Sequence, residues 1–426
     1  MNLKLRLTIL SFLQFAVWGA YLTSMGNYLG SVGLGSKIGL FYAMQGIVSI
    51  FMPALMGIIA DRWIQAQKLL GICHFFAAVF LIAAGYYGMS AGSDVEFSKL
   101  FLLYSLSVMF YMPSIALSNS VAYTVLVNNN YDTIKAFPPI RTFGTIGFIC
   151  AMLFVDFTGF QHSYSQFFVS GILGIVLFVY SFTLPKCPTN KSDEKKSFSD
   201  ALGLKAFALF KDKKMAVFFI FSMLLGVSLQ ITNGYANPFI TSFKDIPAFK
   251  DTWGANHANA LISLSQVSET LCILLIPFFL KRFGIKKVML MAMFAWVLRF
   301  GLFGLGNPGG GVWMFVLSMI VYGIAFDFFN VSGSLFVDKE TDKSIRSSAQ
   351  GVFMMMTNGF GATIGMLAAQ GVVNHYVFSQ TDPALQLEGW QTSWYIFAGY
   401  ALIVTVLFAV IFKHKHDPNQ LKEVNH

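Results

Sequence analysis

Twelve long segments of this chain carry few or no charges, and they recur from one end to the other. They fall at about 7–30, 38–60, 70–90, 100–127, 142–160 and 164–184, then at 215–238, 258–280, 288–306, 311–336, 347–371 and 391–412. Most are long enough to cross the ~30 Å hydrocarbon layer at 1.5 Å per helical residue. Lipid offers no partner to backbone N–H and C=O groups, so a span must be a helix or part of a closed barrel. Barrel strands would be shorter and would alternate apolar with polar residues, and these segments do not. Only 12% of the 426 residues are charged, against 56% hydrophobic. So few charges cannot shield that much apolar surface from water. The expectation is an all-α membrane protein with twelve transmembrane helices, numbered here as spans one to twelve.

One long polar stretch, 185–214, divides the spans into two sets of six. It predicts an N-terminal six-helix domain over 1–184, a cytoplasmic linker over 185–214, a C-terminal six-helix domain over 215–412 and a cytoplasmic tail over 413–426. Within the linker, SFSDALGLKAFALFKDKK opens on a Ser or Asp cap and continues with helical apolar spacing, which predicts a short surface helix. The basic start MNLKLRLTIL runs into an apolar stretch with no small-residue cleavage site, so it is read as a retained first helix. The net charge of +9 has a topological origin. With the N-terminus inside, only Lys37, Lys99, Lys244 and Lys250 fall on the outer side and Arg299 falls within span nine; every other Lys and Arg lies inside. That bias places both termini in the cytoplasm.

Charge within hydrocarbon costs roughly 2.5–3.5 kcal/mol per group even on the gentler scales. Of the 20 acidic residues, Glu269 and Asp327 are the two well inside spans. They read either as a static hydrogen-bonded pair or as a proton relay facing an aqueous cavity. Glu269 lies in SLSQVSET, where Gln266 shares its helical face. In span seven, Gln230 and Asn233 repeat that spacing. Amides present donors and acceptors, so these side chains suit a neutral solute with carbonyls, ring nitrogens or hydroxyls, or else they pack helix on helix. Arg141, Thr145 and Phe148 form one stripe in span five, and Pro138 and Pro139 are expected just before that helix. Arg141 is also compatible with an interfacial anchor. In span ten, Tyr322 and Phe326 share a face and offer rings to a planar solute, with Asp327 turned about 100° away. Gly and Pro in FMPALMG (51–57), at Gly144 and Gly147, and in NGFGATIG (358–365) predict close helix contacts or bends, and Tyr235, Asn237 and Pro238 mark the outer end of span seven, where a gate could form.

No pattern argues for bond-making chemistry. GNPGGG (306–311) reads as a turn, lacking the strand and lysine of a phosphate loop. His74, His257, His414 and His416 are read as solvated or interfacial, with no metal partnership. The cysteines at 73, 150, 187 and 272 form no metal or disulfide framework. Cys73, Cys150 and Cys272 are read as small buried hydrophobes. The basic linker can touch anionic lipid but carries no nucleic-acid module. A membrane enzyme or a channel would need paired catalytic residues or a filter repeat, and neither is present. A carrier with a central site and a coupling group fits better.

The strings SFLQF, FMPALMG, FPPIRTFGTIGF, FIFSMLLG, LQITN, SQVSET, MIVYGIAFDFFN and QGVFMMMTNGFG span both halves. Carrying them, the chain resembles the bacterial nucleoside:proton symporters of the major facilitator superfamily. That resemblance implies two six-helix bundles and proton-coupled uptake of nucleosides across the bacterial inner membrane by alternating access. Its implied binding residues are Arg141, Thr145, Phe148, Gln230, Asn233, Gln266, Glu269, Tyr322, Phe326 and Asp327, with Glu269 and Asp327 as proton-coupling groups. It implies purine and pyrimidine nucleosides and protons as partners, a working monomer in lipid, and no cofactor, metal or nucleic acid. The wider superfamily's inner-loop signature survives only as Gly57, Asp61 and Arg62 in GIIADRW. A proton-coupled sugar or oligosaccharide symporter is the nearest alternative.

Overall fold

The computed structural model describes residues 2–189, 204–342 and 345–414. Residues 190–203, and with them most of the expected surface helix, lie outside the described residues, as does nearly all of the tail; Leu204–Lys211 is a tight helical segment. Among the described residues every regular element is helical.

Among the described residues, nine helices are long and apolar enough to cross a membrane. One of them, Ala258–Leu305, runs for 48 residues and contains two spans, because Gly284 breaks it with φ 76 and ψ 168. Only glycine enters that region without strain, and it reverses the chain between spans eight and nine. Span one is Leu3–Gly19, carried on by Met25–Ser31 after a turn, and span six is the 17-residue Ser165–Ser181. With these the twelve expected crossings are accounted for. Leu274, Ile403 and Val410 are among many large apolar side chains left exposed. Such faces suit lipid rather than water.

The chain divides into two compact units: residues 1–202 with Asn233–Pro238, and residues 203–232 with 239–426. In the first unit, spans one and five meet backbone to backbone. A Cβ on Gly147 would stand 2.1 Å from the Phe12 carbonyl oxygen, and one on Gly19 would stand 2.3 Å from that of Phe148. In the second, spans seven and eleven do the same through Gly226, Gly361 and Gly365. Small residues let backbones approach where lipid supplies no hydrophobic drive between helices. Span eleven also widens into a π-helical turn over Met355–Gly361, which takes in the NGFG string.

Several local expectations are corrected. Pro138 and Pro139 lie inside the helix Thr133–Phe157, not before it. Their fixed φ is helical, but as the sixth and seventh residues of this helix each forgoes a hydrogen bond to the carbonyl four residues earlier. Gly57 has open space where a side chain would stand, so it marks no close contact. Cys150 is exposed, while Cys73 and Cys272 are buried as expected. His74 is fully buried rather than solvated.

Candidate functional site

Each unit contains a polar cluster within its spans. In the first, the Gly144–Gly147 face of span five lies against span one, which fixes how the neighbouring stripe is presented. The Arg141 guanidinium sits over the Phe15 ring at 3.9 Å from its centroid. Thr145 is half-buried, and Phe148 is buried edge-on to Trp18 with centroids 6.3 Å apart. Behind them is a sealed polar network. His74 Nε2 lies 2.8 Å from Gln14 Oε1, Gln14 Nε2 donates to Ser114 Oγ at 2.8 Å, and the Tyr111 hydroxyl donates to the Gln14 carbonyl at 2.7 Å.

Span seven is interrupted at Gln230, between the helices Lys213–Leu229 and Ile231–Ser242. Gln230 belongs to the second unit and Asn233 to the first. Within the first unit, Asn27 Nδ2 donates to Asn237 Oδ1 at 2.8 Å, Asn237 Nδ2 to Gln161 Oε1 at 3.1 Å, and Gln161 to the buried Asp156.

The second unit carries the charges. Spans eight and ten cross at Gly323, where a Cβ would come within 2.6 Å of the Ser268 carbonyl oxygen and 2.7 Å of Cys272 Sγ. This close approach sets the helix carrying Glu269 against the helix carrying Tyr322, Phe326 and Asp327. Tyr322 and Phe326 stack with centroids 5.7 Å apart and planes 15° apart. Glu269 is half-buried and Asp327 buried, and both lie within electrostatic range of the Tyr322 hydroxyl. Gln266 stands one turn before Glu269 and is half-buried; Thr270 bonds back to its carbonyl at 3.1 Å.

One participant was seen in sequence only as a charge within span nine. Arg299, 2% exposed, lies 4.5 Å over the Tyr322 ring, and its Nη1 donates to the Ser318 carbonyl at 2.8 Å. A basic residue in the middle of an apolar span was the available signal. Its proximity to Tyr322 was not readable. Among the described residues no group of three or more His, Cys, Asp or Glu could hold a metal ion.

Twelve helical spans with ionisable side chains gathered inside them define a membrane carrier of the major facilitator type. The crystal structure of a D-xylose–proton symporter shares this fold, with a TM-score of 0.69 over 97% of this chain and 98% of that one, at 13% identity. The sequence pattern described as "Nucleoside H+ symporter" matches residues 1–417. The chain is 46% identical to nucleoside permease NupG of Escherichia coli K12 over all of both chains. It is 44% identical to the xanthosine permease of the same organism over 99% of each. A crystal structure of the nucleoside transporter NupG superimposes with a TM-score of 0.88, covering 97% of this chain and all of that one. The chain therefore belongs to the nucleoside H+ symporter family. It is a carrier that couples nucleoside movement to protons by alternating access, and not an enzyme.

Proposed function

We propose that the nucleoside is held by Arg141, Thr145, Phe148 and Asn233 together with Gln230, Gln266, Glu269, Tyr322, Phe326 and Asp327, and that Glu269 and Asp327 carry the coupling proton. The observation that carries this reading is geometric: the close crossing of spans eight and ten at Gly323 sets the helix bearing Glu269 against the helix bearing Asp327 and the stacked Tyr322–Phe326 ring pair. Amide and carboxyl groups suit the ribose hydroxyls and the base edge, and a ring face suits the base. Both purine and pyrimidine nucleosides fit such a set. Sugars also pack on aromatic faces, so it is membership of the nucleoside H+ symporter family that favours a nucleoside over the sugar alternative.

The halves of the carrier correspond to 1–184 and 215–412, joined by the linker 185–214. The protein works as a monomer in the bacterial inner membrane with both termini cytoplasmic, a placement supported by the inner-side bias of Lys and Arg. A proton and a nucleoside load from outside. Neutralising a carboxylate lowers the cost of enclosing it away from water, so the loaded carrier can change its open side. Release of the proton inside resets it. Inward movement of one positive charge contributes ~2.3 kcal/mol per 100 mV of negative-inside potential. The test is labelled-uridine uptake into vesicles across external pH, with competition by purine nucleosides, free bases and sugars. Concentrative uptake that survives collapse of the proton gradient would remove the coupling. Equal competition by simple sugars would remove the nucleoside site.

A further inference from the structure

Span nine carries a buried cation that the site just described does not use. Arg299 has its guanidinium over two rings, Tyr322 at 4.5 Å and Phe303 at 5.4 Å. Its Nη1 donates to the Ser318 carbonyl at 2.8 Å and lies 3.4 Å from Ser265 Oγ, and the Ser318 hydroxyl returns a bond to the Arg299 carbonyl at 3.0 Å. Among the described residues no carboxylate comes within ion-pair distance of it, and its Nε has no hydrogen-bond partner. A cation so buried is costly in a membrane interior. An apolar side chain would fill the same space without that cost, so packing alone is not what the guanidinium adds.

Its geometry shows what it does add. The Tyr322 ring is held on three sides: Phe326 stacks on it, Trp296 meets it at 87° with centroids 6.0 Å apart, and Arg299 lies over its face. Arginine is planar and stacks on aromatic faces, whereas lysine is a compact point charge. Ser265 stands one helical turn before Glu269, so the same guanidinium is tied to the helix bearing that carboxyl. The ionisable group set against it is Tyr322 from span ten. Span twelve meets the adjacent Phe300 and Phe303 with Trp394 and Phe397, which do not ionise.

We propose that Arg299 is a positioning residue for nucleoside recognition: it locks Tyr322, and through it the Tyr322–Phe326 ring pair, at the angle the base meets. This rests on the binding reading above. Arg299 touches no solute itself; it acts through the ring.

The experiment uses the full-length protein, purified and reconstituted, with Arg299→Met and Arg299→Lys each made in the parent and in a Tyr322→Leu background. Uridine binding is measured at equilibrium and uridine uptake is measured in proteoliposomes. In the parent background Arg299→Met raises the uridine Kd and the transport KM about 10-fold, while kcat stays within about 2-fold. Arg299→Lys raises them about 3-fold. In the Tyr322→Leu background both effects shrink below about 2-fold, because the ring through which they act is gone. An unchanged Kd in Arg299→Met, or the same loss in both backgrounds, overturns the proposal. If Arg299→Met does not purify as a monodisperse protein, the Arg299→Lys pair decides by the same comparison. Failure of the unsubstituted protein to bind uridine would instead overturn the binding reading on which this rests.

Discussion

The polar cluster of the first unit and that of the second use different physics. In the first, one half-exposed cation, Arg141, rests on a ring and is backed by neutral groups, Gln14, Ser114, Tyr111 and the sealed His74. In the second, two carboxyls and a buried guanidinium surround one tyrosine. A neutral hydrogen-bonded network has its partners built in and resists change. Charges in low dielectric respond strongly to the gain or loss of a proton. On the proposed reading both units hold the nucleoside, and the contrast confines the proton response to the second.

The largest effect that could break this contrast is at the carboxyls. Glu269→Gln and Asp327→Asn should each lower gradient-driven uridine accumulation about 10- to 100-fold, while expression and monodispersity are kept. Normal accumulation in both would take proton coupling away from the second unit. Next come the helix crossings. Gly147→Val and Gly323→Val each force a side chain onto a carbonyl less than 3 Å away, so each should cost about 1–3 kcal/mol or more of stability. Gly57→Ala, with open space around it, should cost almost nothing. Melting in detergent ranks the three; equal losses would show that close approach is not the cause.

A smaller effect is expected at Arg141→Leu, which removes a cation–ring contact and weakens uridine binding about 2- to 10-fold, with the pH profile of uptake unchanged. The smallest concerns His74. Its Nε2 is engaged with Gln14 and the ring is fully buried, so His74→Gln should leave the shape of the pH–uptake curve as it is. A displaced curve would mean that the first unit also responds to protons, and the contrast between the clusters would fail.

Burial order shows where sequence reasoning stopped. Hydropathy located every span because lipid demands a long apolar helix wherever the chain crosses. The same reasoning singled out Glu269 and Asp327, since a carboxyl inside a span is expensive wherever it faces. His74 was misread because its sequence position lies near a span border, and only the packing of spans one, three and four seals it. Cys150 was misread in the opposite direction, since an apolar segment of a membrane helix has two apolar faces and its composition does not say which one meets lipid. The prolines of span five were placed outside the helix because a proline pair usually starts one; here the helix begins a turn and a half earlier.

What this sequence determined unaided was the number of crossings, the uneven distribution of basic residues among the loops and the short list of costly groups in the membrane. These are one-dimensional properties, set by the free energy of placing each side chain in lipid or water. Only the tertiary structure decided which groups meet. The approach of spans eight and ten at Gly323, the turn at Gly284 and the guanidinium of Arg299 on the Tyr322 ring depend on how each helix is rotated about its axis. With lipid-facing and buried faces both apolar, no periodicity records that rotation. It is set by contacts between residues distant in the chain.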